Sequence, residues 1–182
     1  MKANIVVAFA LLALSPGWLK SEVADSSASG FTVKLALNIN AAPDEVYRKF
    51  MRVGDWWNSA HTFSGDAHNL SIEEKPMGCF CEKLPNQGAV RHMEVVYLAP
   101  GKTLVLSGGL GPLQSLAATG SMTISLTAAD GGTKLAVNYA VTGYLPAGMN
   151  TWAVPVDGVV REQFMRLRNY VERGDPKAAA KN

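Results

Sequence analysis

From Leu70 onward the chain is a run of short alternating stretches whose links are too brief to carry a crossover. LSIEEK, GCFCEKL, AVRHMEVVYL, KTLVLSGG, GSMTISLTA and TKLAVNYAVTGY each have strand character. Pro76-Met77-Gly78, Pro85-Asn86-Gln87-Gly88, Ala99-Pro100-Gly101 and Ala129-Asp130-Gly131-Gly132 place turn chemistry between most of them. Parallel neighbours need a connection of about a dozen residues or more, so these strands must run antiparallel, as a meander. One later link is longer, the glycine-rich GGLGPLQSLAATG from Gly108 to Gly120.

One more strand precedes the series. Phe31, Val33, Leu35, Leu37 and Ile39 alternate with polar or small residues, which predicts a half-buried strand and brings the expected number to seven. AAPDEVYRKFMRVGDWW then reads as a helix. Pro43 suits its first turn, and Asp44 and Glu45 sit favourably at the positive end of the dipole. Val46, Phe50 and Val53 share its apolar face, and a second short helical turn is expected around Asp55 to Ser59. The last element is an amphipathic helix from Asp157, with Val160, Phe164, Leu167 and Val171 on one stripe and Arg161, Arg166, Arg168 and Arg173 off it. Pro155 marks its first turn or a kink, and Gly174 caps it. The class is therefore α+β. A twisted seven-stranded sheet must have one face covered, and the long final helix is what remains to cover it. A curved sheet gripping a helix leaves a space between them, and such a space is a ligand cavity.

The N-terminus carries a different signal. Lys2 is followed by ten uninterrupted apolar residues, Ile5 to Leu14, and then by Ser15, Pro16 and Gly17. That run is too short to span a bilayer and fits the h-region of a secretory leader. Ser26-Ser27-Ala28 is a small-x-small site, so residues 1–28 are expected to be removed after Ala28. An alternative cut after Ala24 puts Glu22 where a small residue is wanted. The expected organisation is a leader over 1–28, one domain over 29–174 and a disordered tail over 175–182. The location implied is periplasmic or secreted, with no stable membrane anchor after cleavage. The chain has 182 residues and a formal net charge of +2, too mild for a nucleic-acid footprint.

The element order and local motifs resemble the SRPBCC superfamily (START-like, helix-grip fold), which includes the polyketide cyclase/dehydrase family. NAAPDEVYRKFMRVGDWW after the first strand, MGCFCEKL, VVYLAPGKTLVLSGGLGPLQ and the closing helix carry the resemblance, over about Phe31 to Arg173. It implies a seven-stranded curved antiparallel sheet wrapped around a long C-terminal helix. Members bind lipids, sterols, polyketides and plant hormones, and some catalyse cyclisation or hydration. No single catalytic signature carries over from the superfamily, and a shared fold does not fix function. The resemblance also places the 108–120 loop, with Leu110, Pro112, Leu113 and Leu116, as an apolar flap at the cavity mouth.

The residues that carry chemistry cluster in GDWWNSAHTFSGDAHN and the strands after it. Trp56 and Trp57 suit an aromatic wall at the pocket entrance. His61, His68 and His92, with Cys79 and Cys81, are residue types that hold zinc, but their spacing matches no metal motif, and no metal or other cofactor is expected. Strict alternation places His92 with Glu94 on one face of their strand and Met93, Val95 and Tyr97 on the other. If the His92/Glu94 face looks into the cavity, His92 or His61 becomes a general acid/base assisted by Glu94. If it looks outward, the more apolar Met93 set covers the core. Cys79 and Cys81 read as two small buried thiols, with a disulfide or a metal pair as the alternatives. The glycine-rich loop lacks the phosphate-loop pattern, and no nucleophile elbow is present.

The expected function is binding of a hydrophobic small molecule between sheet and helix. Val105, Leu126, Val137, Phe164 and Leu167 are the expected apolar lining, with Trp57, His61, His92 and Leu113 at a more polar mouth. A polyketide cyclase/dehydrase-like enzyme is the first alternative and a His/Cys metal-binding protein the second.

Overall fold

The structure is a computed structural model and describes residues 19–177. The apolar run Ile5 to Leu14 and the end of the expected tail, 178–182, lie outside the described residues. Eight strands form one antiparallel sheet: β1 (Leu19–Ser27), β2 (Gly30–Ile39), β3 (Leu70–Ile72), β4 (Cys79–Lys83), β5 (Ala89–Ala99), β6 (Thr103–Ser107), β7 (Ala117–Ala129) and β8 (Gly132–Tyr144). Their order is β1-β2-β8-β7-β6-β5-β4-β3. Strands β3 to β8 are the expected meander. β8 returns beside β2, while α1 (Pro43–Met51) and α2 (Val53–Trp56) carry the chain from β2 to the far edge. The sheet is curved and not closed, and α3 (Ala153–Arg173) packs on its inner face. No helix among the described residues is long and apolar enough to cross a membrane.

The sheet has eight strands where seven were expected. The addition is β1, in the stretch assigned to the leader. It pairs with β2 from Leu19↔Leu37 to Ser27↔Gly30, with a bulge between Val23 and Asp25. As an edge strand it buries almost nothing, so its side chains carry no alternation to read. Ser21 donates its hydroxyl hydrogen bond to Asp157 of α3, which ties the edge to the helix.

The inner face is built by alternation. Val33, Leu35 and Leu37 of β2, Leu104 and Leu106 of β6, and Leu135, Val137 and Tyr139 of β8 are buried against α3. Val160, Phe164, Leu167 and Val171 meet them from the helix, the stripe that the sequence predicts. Each such aliphatic side chain contributes about 1.5–3 kcal/mol by leaving water. Pro155 lies in the first turn of α3, which begins at Ala153, ahead of the expected Asp157. Gly174, at φ 74°, provides the left-handed C-cap that a residue with a Cβ resists.

α3 also organises the end of α2. Arg166 donates from Nε to the Trp56 carbonyl at 2.9 Å and from a terminal nitrogen to the Trp57 carbonyl at 3.3 Å. A guanidinium thus satisfies carbonyls that a helix end leaves unpaired. One residue on, the Asn58 N–H donates to Gln163 Oε1 at 2.8 Å. These contacts fix where Trp57 and the loop after it stand.

Candidate functional site

The centre of the grip is filled by side chains. The space that remains, a cavity of about 320 Å³, lies at one end, where α3 begins. Trp57, His61 and Phe63 border it from the loop after α2, and Phe80 and His92 from β4 and β5. Leu110, Pro112 and Leu113 close it from the flap, and Trp152, Val156, Val159 and Val160 from the start of α3. The lining is overwhelmingly apolar, as in small-molecule sites.

Two aromatic residues of GDWWNSAH have separate jobs. Trp56 is core, 1% exposed, and its indole N–H donates to the Phe50 carbonyl. Trp57 forms cavity wall, anchored by its N–H on the His61 carbonyl at 3.1 Å and set edge-on to Phe80. His61 lies 3.1 Å from Glu162 of α3, whose other carboxylate oxygen accepts from the Asn58 amide.

The buried polar side chain of the cavity lining is His92. β5 carries a bulge: Phe80 pairs with Met93, but Cys81 pairs with Arg91, so His92 is the extra residue. The bulge turns His92 and Met93 inward together, at 4% and 1% exposure, and sends Arg91 and Glu94 outward. His92 Nε2 lies 3.0 Å from Glu82 Oε2, and Glu82 is fully buried. Glu82 also accepts the N–H groups of Phe63, at 3.1 Å, and Ser64. On its other side, His92 Nδ1 accepts from the Gly111 N–H at 3.3 Å. That contact assigns the lone pair to Nδ1 and the proton to Nε2, which donates to the carboxylate. One chain of hydrogen bonds therefore links the 63–64 loop, Glu82, His92 and the flap. Phe63 stacks on the imidazole at 6.0 Å and Phe80 tilts against it at 5.3 Å.

Electrostatics fit this arrangement. Burial pushes the His92 pKa down, and the pull of the Glu82 carboxylate only partly offsets it. Burial alone would raise Glu82, but hydrogen bonds from Ser64, Phe63 and His92 outweigh it and hold the carboxyl below its ordinary range. The flap has a second anchor: the Leu110 N–H donates to the buried Tyr139 hydroxyl at 3.1 Å. Burial pushes that phenol up to about 12, so it stays protonated at neutral pH.

Neither a comparison with protein-family models nor one with curated proteins finds a match. Solved structures do match. An uncharacterised protein from Rhizobium leguminosarum aligns at TM-score 0.58 and 15% identity, over 86% of this chain and 99% of that one. CalU16 from Micromonospora echinospora aligns at 0.56 and 15% identity, over 91% and 88%. DynU16, from the dynemicin biosynthetic locus, aligns at 0.56 and 18% identity, over 81% of this chain and 49% of that one. The chain has the helix-grip fold. At these identities the likeness is one of fold alone.

Within that helix-grip frame, Trp57, His61, His92 and Leu113 line the cavity. Other expected residues do not line it. Glu94 is not the partner of His92; the bulge turns it to the outer face, where Arg91 binds it at 3.1 Å. Val105 lies on the outer-facing parity of β6, between buried Leu104 and Leu106. Leu126, Val137 and Leu167 are packed core away from the cavity, and Trp56 and Phe164 sit behind it. No cluster of three metal-binding side chains occurs among the described residues. His61 and His68 pair with Glu162 and Asp66. Cys79 and Cys81 form a disulfide, with Cα atoms 5.3 Å apart, in place of the expected free thiols. The residues that the sequence reading missed are Glu82, Phe63, Phe80, Trp152 and Gln163.

Proposed function

We propose that the protein binds a hydrophobic small molecule, of lipid, polyketide or aromatic type, in the cavity at the start of α3, and does so in the periplasm or outside the cell. The observation that carries this reading is the cavity itself: about 320 Å³, walled mostly by aromatic and aliphatic side chains. The helix-grip fold supports it, as does the origin of one structural neighbour in a biosynthetic locus. Both His92 nitrogens are engaged within the protein, one by Glu82 and one by Gly111. That favours a role in holding the mouth over proton transfer to a ligand. Native mass spectrometry of gently isolated protein tests the reading. Added organic mass that denaturation releases is the expected result. Bare protein that also takes up no 1-anilinonaphthalene-8-sulfonate overturns it.

A second reading, a polyketide cyclase-like enzyme, draws on the His92–Glu82 pair. If the flap lifts Gly111 away, the His92 Nδ1 lone pair becomes a base beside the cavity, steadied by Glu82. Turnover of a cyclisable polyketide by the wild type, lost in His92→Ala, is its test.

A further inference from the structure

The Cys79–Cys81 disulfide does little that a structural staple would do. It spans one residue, Phe80, and the chain-entropy gain of a cross-link shrinks with the loop it closes. Its strand is already held from both sides. Ser71↔Cys81 and Ile72↔Phe80 pair it with β3, and Cys79↔Glu94 and Cys81↔Arg91 pair it with β5. Phe80 and Glu82, both buried, anchor it inward. The two cysteines alternate with them, so they share the outer face and are partly exposed. A thiol in solution can reach such a bridge, and exposed disulfides are the labile ones. Once opened, the two thiols stay side by side on a fixed strand, and closing again is intramolecular.

The surroundings distinguish the two sulfurs. Arg91 stands opposite Cys81 on the same face, and Ser71, small and exposed, lies on its other side. Cross-strand partners hold their Cβ atoms about 4.5–5.5 Å apart, close enough for the guanidinium charge to be felt at the sulfur. Cys79 instead faces carboxylates. Glu94 is its partner on β5, and Glu73 Oε2 accepts its N–H at 3.1 Å. Lys75 pairs with Glu73 and Arg91 with Glu94, which neutralises these acids in part. A cation beside a sulfur favours the thiolate, the form that attacks in exchange, and carboxylates oppose it.

We propose that Cys79 and Cys81 form a thiol–disulfide exchange site on the outer face of the sheet, with Cys81 as the exchanging sulfur and Cys79 as the resolving one. Its substrates are thiols and disulfides. A donor thiolate attacks Cys81 Sγ, the bridge breaks, and its electron pair leaves on Cys79, which takes up the donor's proton. A second donor thiol gives its proton to solvent and attacks the mixed disulfide, and Cys81 leaves as a thiolate facing Arg91. Two donor thiols become one disulfide and the bridge becomes the reduced pair; the reverse steps reduce a disulfide. The test treats the oxidised full chain with glutathione and traps the products with N-ethylmaleimide at successive times. Reduction is expected while the circular dichroism spectrum holds, with fragment-ion mapping that finds the early glutathione adduct on Cys81 and the maleimide on Cys79. A bridge that opens only after urea unfolds the chain overturns the site. An early adduct on Cys79, or equally on both, overturns the roles assigned to the two sulfurs. In a Cys79→Ser background, Arg91→Gln should slow the reaction of Cys81 with a neutral dithiodipyridine by about threefold or more, the worth of one nearby charge in a water-exposed setting. An unchanged rate there overturns the part given to Arg91.

Discussion

His92 and Glu82 meet at 3.0 Å across β4 and β5, both buried, and the carboxylate between them and the 63–64 loop serves three donors at once. Glu82→Ala leaves the Phe63 N–H, the Ser64 N–H and His92 Nε2–H without an acceptor. Each buried donor left without an acceptor costs about 1–3 kcal/mol. The thermal midpoint should fall by on the order of 10 °C for a chain of this size, read by circular dichroism. A midpoint that stays put would mean that water replaces the carboxylate freely and that the site is not closed.

The same pair sets a pH dependence. Burial holds the His92 pKa below its ordinary value of 6.5 in the folded state. Between that value and the lower folded one, the unfolded chain binds a proton that the folded chain refuses. Stability is therefore full above about pH 6.5 and falls as the pH drops through this window. Glu82 acts in the same direction at lower pH: its contribution is present above its ordinary 4.5 and is lost as pH falls through its depressed folded value. Thermal midpoints measured from pH 8 to pH 5 should decline below about 6.5 in the wild type and decline less in His92→Gln. Parallel curves would show that His92 does not carry the effect. Protonated Nδ1 can no longer accept the Gly111 N–H, so probe uptake should speed up at lower pH, as the pH falls through the depressed folded value of His92 and the flap loosens.

How much of this was legible beforehand follows from where alternation holds. β2, β7 and β8 each bury one parity, so their apolar residues name the inner face directly. β6 defeats the rule because Leu104, Val105 and Leu106 are all apolar; only pairing decides that Val105 is the outward one. β5 defeats it differently. Val90, Met93 and Val95 face inward with a gap of three and then two, and the odd gap is the trace of the bulge at His92. That irregularity was present in AVRHMEVVYL, but strict parity read through it and paired His92 with Glu94. Glu82 was on the inner parity with Phe80 all along; its importance depends on a contact with a loop nearly twenty residues away, which no local pattern records. The orphaned amide of Gln163 is likewise a tertiary fact, since on the helix it reads as one polar residue beside the apolar stripe.

The cavity makes a prediction that separates its wall from the outer face of the sheet. Val159 lines the mouth from α3 and is only partly buried, so a larger side chain there fills space without overpacking the core. Val159→Trp should weaken uptake of 1-anilinonaphthalene-8-sulfonate by about tenfold or more while the thermal midpoint holds. Val105→Trp, on the outer face of β6, should leave uptake unchanged. Equal loss in both would place the probe on the surface and not in the cavity.

The edge strand bears on processing. A leader cut after Ala28 would discard β1, expose the outer backbone of β2 from Gly30 to Leu37, and remove the Ser21 contact with Asp157. It would also remove the Ala28 carbonyl, which accepts from the Met149 N–H at 2.9 Å just ahead of α3 and the cavity wall. An unpaired edge of that length is a template for association with other chains. If the chain is exported, its mature N-terminus is expected at or before Leu19, which intact-mass measurement of a secreted or periplasmic fraction reads directly. A chain starting at Ser29 should unfold at a lower temperature than one starting at Leu19 and should self-associate on gel filtration. A native N-terminus at Ser29 would instead mean that β2 is the working edge of the sheet and that β1 belongs only to the precursor.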